Sequence, residues 1–147
     1  MRYLAIDLGD KRTGLAAGDS TTRIVTPLEV IEVPLAARAG EALLDAIARM
    51  IVEQWGEPPA SGSELVVGLP LNMDETEGPR AKLVRTFGAR IEARTGLKVH
   101  YQDERLSSAA ADWLMARTGM TRGQKKAKRD ALAAAAILAD YLKSVAS

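Results

Sequence analysis

The sequence predicts an α/β protein built on one mixed sheet, in which antiparallel strands come first and parallel strands later. Two observations support this prediction. Strand patterns cluster in the first 33 residues, where short turns favour antiparallel pairing. Helical and strand patterns then alternate to the end of the chain, and a parallel strand is normally reached through a helical crossover.

The first three strands are predicted from apolar runs separated by turns. Residues 3–8 and 13–18 are predicted to form a hairpin, because the turn from Gly9 to Arg12 combines a glycine with charged side chains. Residues 24–33 (IVTPLEVIEV) are predicted as a third strand that is interrupted at Pro27.

Helices and strands alternate in the rest of the chain. A helix is predicted over residues 37–55, where apolar residues recur at helical spacing. Residues 65–68 (LVVG) form a short apolar strand of the kind buried in parallel sheets, and the polar loop LPLNMDETEG follows. The next helix is predicted over residues 79–95, between Pro79 in its first turn and Gly96 after its end. The remaining predicted elements are a strand (98–102), a helix from the N-cap Ser107 to residue 118, and an alanine-rich helix (128–145).

The composition excludes several kinds of site. The 147 residues fit a single domain spanning 1–147. The chain has no cysteine and one histidine, His100, which we expect at an exposed strand position, so a metal site must use oxygen ligands. The net charge of +1 does not by itself indicate nucleic-acid binding. No segment is apolar enough to span a bilayer, and a strand begins at Tyr3 with no room for a signal peptide, so we expect a cytoplasmic protein without a membrane partner.

Acidic residues are predicted to gather at one edge of the sheet. Asp7 ends the first strand, the LPLNMD loop follows the fourth, and Asp103 and Glu104 end the fifth. Ligands of open α/β sheets bind beyond the carboxyl ends of such strands. Side chains alternate along a strand, so only one of Asp103 and Glu104 can face the same way as Asp7. Asp130 begins the inward-facing stripe of the last helix and extends this set.

These acids form an oxygen-only set suited to Mg²⁺ or Mn²⁺. Two such ions can activate a water molecule and stabilise the leaving oxygen of a phosphodiester. The acids could instead have purely structural roles. Asp7 could accept hydrogen bonds from the following turn, and Asp130 could be a first-turn acid favoured by the helix dipole. One of Asp103 and Glu104 could pair with Arg105.

Basic residues lie close to the acids in sequence. No acid occurs between Asp112 and Asp130. The same interval contains six cationic residues: Arg117, Arg122, Lys125, Lys126, Lys128 and Arg129. Lys11 and Arg12 follow the first strand. A run of charge is usually a solvated surface, but cations that surround acids are suited to holding a phosphate backbone beside metal ions.

Four segments of the chain resemble the YqgF-type family, also called RuvX. They are IDLGDKRTGLA (6–16), VVGLPLNMDETEGPRA (66–81), DERLS (103–107) and KAKRDALAAAAILADYL (126–142), and they span almost the whole chain. The second and third are the most specific in order and spacing. The family usually has glycine where this chain has Glu75, and RuvC-type enzymes carry an acid after the fourth strand, where this chain has Asn72 or Asp74.

The resemblance implies an RNase H-like fold, with strands 1–3 antiparallel, strands 4–5 parallel and helices on both faces of the sheet. It implies a nuclease dependent on Mg²⁺ or Mn²⁺ that processes the 5′ end of pre-16S rRNA or, alternatively, resolves four-way DNA junctions. With either substrate, we expect a monomer or a homodimer. Catalysis is then assigned to Asp7, Glu104 and Asp130, with Asp103 added as a metal ligand. The residues predicted to bind nucleic acid are Lys11, Arg12, Asn72, Arg80, Arg105, Arg122, Lys125 and Lys126.

Two rival functions belong to other classes. A phosphotransferase of the actin or sugar-kinase type has a similar opening strand and hairpin, but it needs a second phosphate-binding repeat and a second lobe that this sequence does not contain. A nucleic-acid-binding module without catalysis, in which the acids serve only folding, is the other alternative.

Overall fold

The computed structural model describes residues 1–56, 62–104 and 129–145. The elements in chain order are strand β1 (Arg2–Asp7), β2 (Thr13–Asp19), β3 (Val25–Ile31), a 3-10 turn (Ala37–Gly40), helix α1 (Glu41–Trp55), β4 (Ser63–Leu69), α2 (Pro79–Thr95), β5 (Val99–Asp103) and α3 (Arg129–Val145). The helix predicted from Ser107 to residue 118 lies outside the described residues.

The strands form one five-stranded sheet in the order β3-β2-β1-β4-β5. β1 pairs antiparallel with β2, and β2 with β3, whereas β4 runs parallel to both β1 and β5. The predicted mixed sheet is therefore confirmed. Pro27 is accommodated because β3 lies at the edge of the sheet, and the β2–β3 register shifts between Gly14 and Ala16, the partner of Pro27.

Helices cover both faces of the sheet. Leu4 and Ile6 of β1 are fully buried in a core shared with α1 and α2, while Tyr3 and Ala5 belong to a second core formed with α3. Successive side chains of a strand point to opposite faces, so Asp7 shares the α3 face with Tyr3 and Ala5. The alternation of side chains along β1 therefore places Asp7 on the face of the sheet that α3 covers.

Helix α1 begins at Glu41, four residues later than predicted. Arg38, Ala39 and Gly40 adopt left-handed φ values of 51°, 55° and 89°, which no right-handed helix can include. Arg90 on α2 holds this turn by donating to the Ala39 carbonyl (2.9 Å) and to the Glu41 carboxylate (2.7 Å). The apolar periodicity of the sequence contains no information about this tertiary contact, so it cannot predict where α1 begins.

The expectation that His100 is exposed was wrong. Its Nε2 lies 2.8 Å from Oε1 of Glu64, and its ring centroid is 5.3 Å from that of Tyr141 on α3. His100 therefore helps to attach the end of α3 to the sheet. Over the described ranges, no helix combines the length and the apolar character needed to cross a bilayer.

Candidate active site

Asp7 and Glu104 meet at the carboxyl-terminal edge of the sheet. Asp7 is the last residue of β1, and Glu104 directly follows β5, where its backbone N–H donates to the Leu69 carbonyl of β4 (3.2 Å). In the β4–β5 register, Gly68 pairs with Gln102, so Glu104 continues the side of β5 that faces α3. Asp7 faces the same helix, and the two side chains share a hydrogen bond.

Gly68 makes this contact across β4 possible. A Cβ atom at position 68 would lie 2.5 Å from Oε2 of Glu104 and 2.5 Å from Cδ1 of Ile137 on α3. Any larger residue would therefore displace the Glu104 carboxyl, the helix or both. The glycine leaves a gap in the middle strand through which Glu104 reaches from β5 toward Asp7 on β1.

The acid pair shares a proton near neutral pH. Burial, followed by the charge of Asp130, raises the pKa of Asp7 to about 6. Burial, followed by the charge of Asp7 and the hydrogen bond to it, raises the pKa of Glu104 to about 7, which places the proton on Glu104. The positive charge of Arg80 acts in the opposite direction on the pKa of both groups.

Asp130 lies beside this pair but has its own partner. It occupies the first turn of α3, and its Oδ2 is 3.6 Å from Nε of Arg12 in the turn after β1. Gly14 fixes the position of this turn, since a Cβ there would lie only 1.9 Å from the Asp130 carbonyl oxygen. The helix thus begins directly on β2, with its first acid next to the β1–β2 hairpin.

Asp103 does not join the pair. It is the β5 partner of Leu69, whose side chain is buried in the core beneath α1 and α2, so Asp103 lies on the opposite face of the sheet from Glu104. The described part of the chain holds no group of three or more His, Asp or Glu side chains gathered as a metal-binding cluster. Glu104 is therefore the member of the Asp103–Glu104 pair that meets Asp7, and Asp130 stands next to them in an ion pair.

The predicted cationic residues have different surroundings. Lys11 is exposed, and the Arg12 side chain is 63 % exposed although it pairs with Asp130. Arg80 connects α2 to the hairpin, because it donates to the Asp10 carboxylate (2.5 Å) and to the Leu8 carbonyl (2.9 Å). The remaining predicted contacts lie outside the described residues: Arg105, Arg122, Lys125 and Lys126.

The loop between β4 and α2 is held by its own hydrogen bonds. Asn72 donates through its backbone N–H to the Thr76 carbonyl and through its side-chain amide to the Thr76 hydroxyl, both at 2.9 Å. The Asp74 carboxylate accepts from the Thr76 hydroxyl at 2.6 Å. Asn72 and Asp74 therefore shape this loop, and Glu75 between them has a left-handed φ of 69°.

Sequence reasoning missed Gly68, Gly14 and the partner of Arg80. A glycine inside an apolar strand signals a close approach by another group, and the LVVG segment carried that signal. The bond between Arg80 and Asp10 spans 70 residues and leaves no local pattern.

A family model described as "RuvX: Holliday junction resolvase" matches residues 1–144. The chain belongs to this family. A relative from Oenococcus oeni is 38 % identical over 143 residues, which cover 97 % of this chain and 94 % of that protein. Another, from Anaeromyxobacter dehalogenans, is 41 % identical over 143 residues and covers 97 % and 96 % of the two chains. Both relatives carry the name "Putative pre-16S rRNA nuclease".

Solved structures with the same fold are RuvC-like resolvases. RuvC of T. thermophilus in complex with a Holliday junction superposes with a TM-score of 0.61 at 16 % identity, covering 100 % of this chain and 98 % of that one. The Fowlpox virus resolvase, also solved with junction DNA, gives a TM-score of 0.59 at 15 % identity and covers both chains completely. These likenesses show that the RuvX chain has the RNase H-like fold of the resolvases.

Proposed function

We propose that this RuvX chain is a metal-dependent nuclease that hydrolyses a phosphodiester bond near the 5′ end of precursor 16S rRNA. The observation that carries the proposal is the meeting of Asp7 and Glu104 across Gly68, beside Asp130, at the edge of an RNase H-like sheet. The family membership and the names of the curated relatives support the same activity.

The chemistry of this acid set fits a divalent cation. Two partly buried carboxyls hold a proton between them, which indicates that their environment lacks enough positive charge to keep both ionised. All available ligand atoms are oxygens, the type preferred by Mg²⁺ and Mn²⁺. We assign Asp7, Glu104 and Asp130 as the ligands, with Asp130 completing the set once it leaves Arg12.

A bound divalent cation supplies Lewis acidity and lowers the pKa of a water nucleophile. The chain itself supplies orientation and charge. Gly68 and Gly14 fix the distances between the acids, and Arg80 holds the hairpin turn against α2. Lys11 projects into solvent beside the site, where it is suited to contact a phosphate of the substrate.

The proposal is tested by incubating the purified protein and Mg²⁺ or Mn²⁺ with a precursor rRNA fragment that spans the 5′ end of 16S rRNA. Asp7→Asn keeps the shape of the side chain and removes its charge, so it should abolish cleavage without unfolding the protein. Cleavage by the wild type and not by the variant is the expected result. Equal cleavage by both would show that this site is not the catalytic centre, and RNA binding without cleavage by the wild type would indicate a binding module.

The second candidate function is resolution of four-way DNA junctions. It is favoured by the description of the matching family model and by the resolvase fold. A four-way DNA junction of unrelated sequence, assayed in parallel with the RNA, distinguishes the two. We expect symmetric nicks in the junction only if this alternative holds.

A further inference from the structure

Arg12 lies where it can pair either with the Asp130 carboxylate or with a phosphate of the substrate. Its Nε is 3.6 Å from the Asp130 carboxylate, a predicted metal ligand, and its side chain remains 63 % exposed at the edge where a phosphate backbone would pass. Asp130 and a phosphate are both anions that attract the same guanidinium charge, so a contact with one weakens the contact with the other. The structure shows the pairing with Asp130.

The geometry of the backbone keeps the two residues together. Gly14 allows the first turn of α3 to lie directly on β2, and Arg12 belongs to the turn that precedes this strand. Asp130 is itself 37 % exposed, so the pair lies in water at high dielectric and forms and breaks at a small cost. Both side chains are partly exposed, so a change of partner needs no buried group to enter water.

We infer that Arg12 couples the binding of metal to the binding of nucleic acid: it neutralises Asp130 in the metal-free protein and is released to a substrate phosphate when Asp130 ligates a divalent cation. The inference rests on the proposed function in that it places the cation at Asp130. It adds that the two affinities depend on each other through one side chain, and such coupling must be reciprocal.

The first test measures Mn²⁺ affinity by isothermal titration calorimetry without nucleic acid. Arg12→Ala should bind Mn²⁺ about two- to fivefold more tightly than wild type, because an exposed ion pair of ordinary strength no longer competes for Asp130. Lys11→Ala is the matched control: it removes one positive charge from the same turn, and no ion pair of Lys11 is found within the described ranges. The inference predicts a clearly larger gain for Arg12→Ala than for Lys11→Ala.

A second variant tests whether the effect of Arg12→Ala depends on Asp130. In an Asp130→Asn background, Arg12→Ala should change the Mn²⁺ affinity no more than Lys11→Ala does, because the carboxylate for which Arg12 competes is already absent. Circular dichroism melts of each variant exclude misfolding as the cause of any loss.

The third measurement adds the precursor rRNA fragment, with its integrity verified by gel after each titration. In the wild type, the fragment should tighten Mn²⁺ binding, and Mn²⁺ should tighten RNA binding by the same factor. This factor should fall severalfold in Arg12→Ala. In Lys11→Ala the RNA affinity itself should fall, but the factor by which Mn²⁺ and RNA strengthen each other's binding should stay near the wild-type value. An equal gain in Mn²⁺ affinity in both variants, or an unchanged coupling factor in Arg12→Ala, overturns the inference.

These outcomes separate the inference from the proposed function. A protein that binds Mn²⁺ and shows the Arg12 effects but cleaves no RNA refutes the nuclease proposal and leaves the competition for Asp130 established. A protein that cleaves RNA with no Arg12 effect refutes the inference alone. A wild type that binds neither Mn²⁺ nor Mg²⁺, with or without RNA, refutes both.

Discussion

Replacing Glu104 by glutamine should stabilise the metal-free protein at alkaline pH. The wild type must ionise Glu104 next to Asp7 in a partly buried site, and this burial together with the neighbouring charge raises the pKa of Glu104 to about 7. The amide of Glu104→Gln is neutral at every pH and still donates a hydrogen bond to Asp7, as the protonated carboxyl does. The variant thus keeps the contact and removes the repulsion.

The size and sign of the effect follow from the pKa of Glu104 in the folded and unfolded chains. Below the usual value of 4.5 the carboxyl is protonated in both states, so wild type and variant should be equally stable with respect to this group. As the pH rises from 4.5 through about 7, the unfolded state loses its proton first, and the wild type loses stability. At pH 8 the difference in the free energy of unfolding should reach about 3 kcal/mol, because the pKa of Glu104 rises from 4.5 to about 7 and each pKa unit corresponds to 1.36 kcal/mol.

Thermal melts in EDTA at pH 5 and pH 8 measure this effect. For a chain of 147 residues, the variant should melt roughly 5–10 °C above the wild type at pH 8, with a smaller gap at pH 5. Mn²⁺ should then stabilise the wild type more than the variant, since only the wild type retains the ligand. Glu53→Gln on the exposed side of α1 is the charge-matched control and should change the stability by less than about 0.5 kcal/mol. A variant that melts lower than the wild type in EDTA at pH 8 would refute the assignment of repulsion to the acid pair.

Three further predictions concern other parts of the site. Gly68→Ala should abolish metal-dependent cleavage because its Cβ would displace Glu104. Gly78→Ala is the control and should cleave normally, since its Cβ would come no closer than 3.5 Å to its neighbours. Equal activity of the two variants would contradict the role of the gap at position 68. Glu75→Gly should raise the free energy of unfolding in urea by roughly 0.5–1 kcal/mol, because glycine adopts the left-handed φ of 69° without strain, and a loss of stability would show that the Glu75 side chain matters more than its backbone. Replacing Lys125 and Lys126 by alanine should weaken RNA binding equally for all sequences and reduce the slope of log affinity against log salt by about one per lost phosphate contact; a loss restricted to one sequence would contradict this prediction.

Local sequence patterns were sufficient for most of the fold. The strand boundaries agree with the prediction to within two residues, and the helix from Pro79 to Thr95 agrees at both ends, because proline and glycine mark its limits locally. The start of α1 could not be predicted, since residues 38–40 turn left-handed under the restraint of Arg90, which lies about 50 residues further along the chain.

The candidate site could be predicted only in part. Alternation along β5 showed that Asp103 and Glu104 face opposite ways, but the choice between them depends on the β4–β5 register, which is a long-range property. The residue that contacts Asp7 could not be predicted for the same reason. The contact requires Gly68 in a strand that lies between the two acids in the sheet and far from both in sequence.

Charge balance connects these observations. Three carboxylates approach one edge of the sheet, and in the metal-free protein their charge is balanced in two separate ways: a proton on Glu104 and the guanidinium of Arg12 on Asp130. Both must leave when the carboxylates bind a cation, but they respond to different conditions. Because the pKa of Glu104 is about 7, the proton occupies this carboxyl more completely as the pH falls, so metal affinity should decline below neutrality, whereas a guanidinium group stays protonated at any such pH. A loss of metal affinity on acidification that is unchanged in Arg12→Ala and moves to lower pH in Glu104→Gln, where only Asp7 is left to take up the proton, would therefore assign the proton to the acid pair and the competition at Asp130 to the arginine.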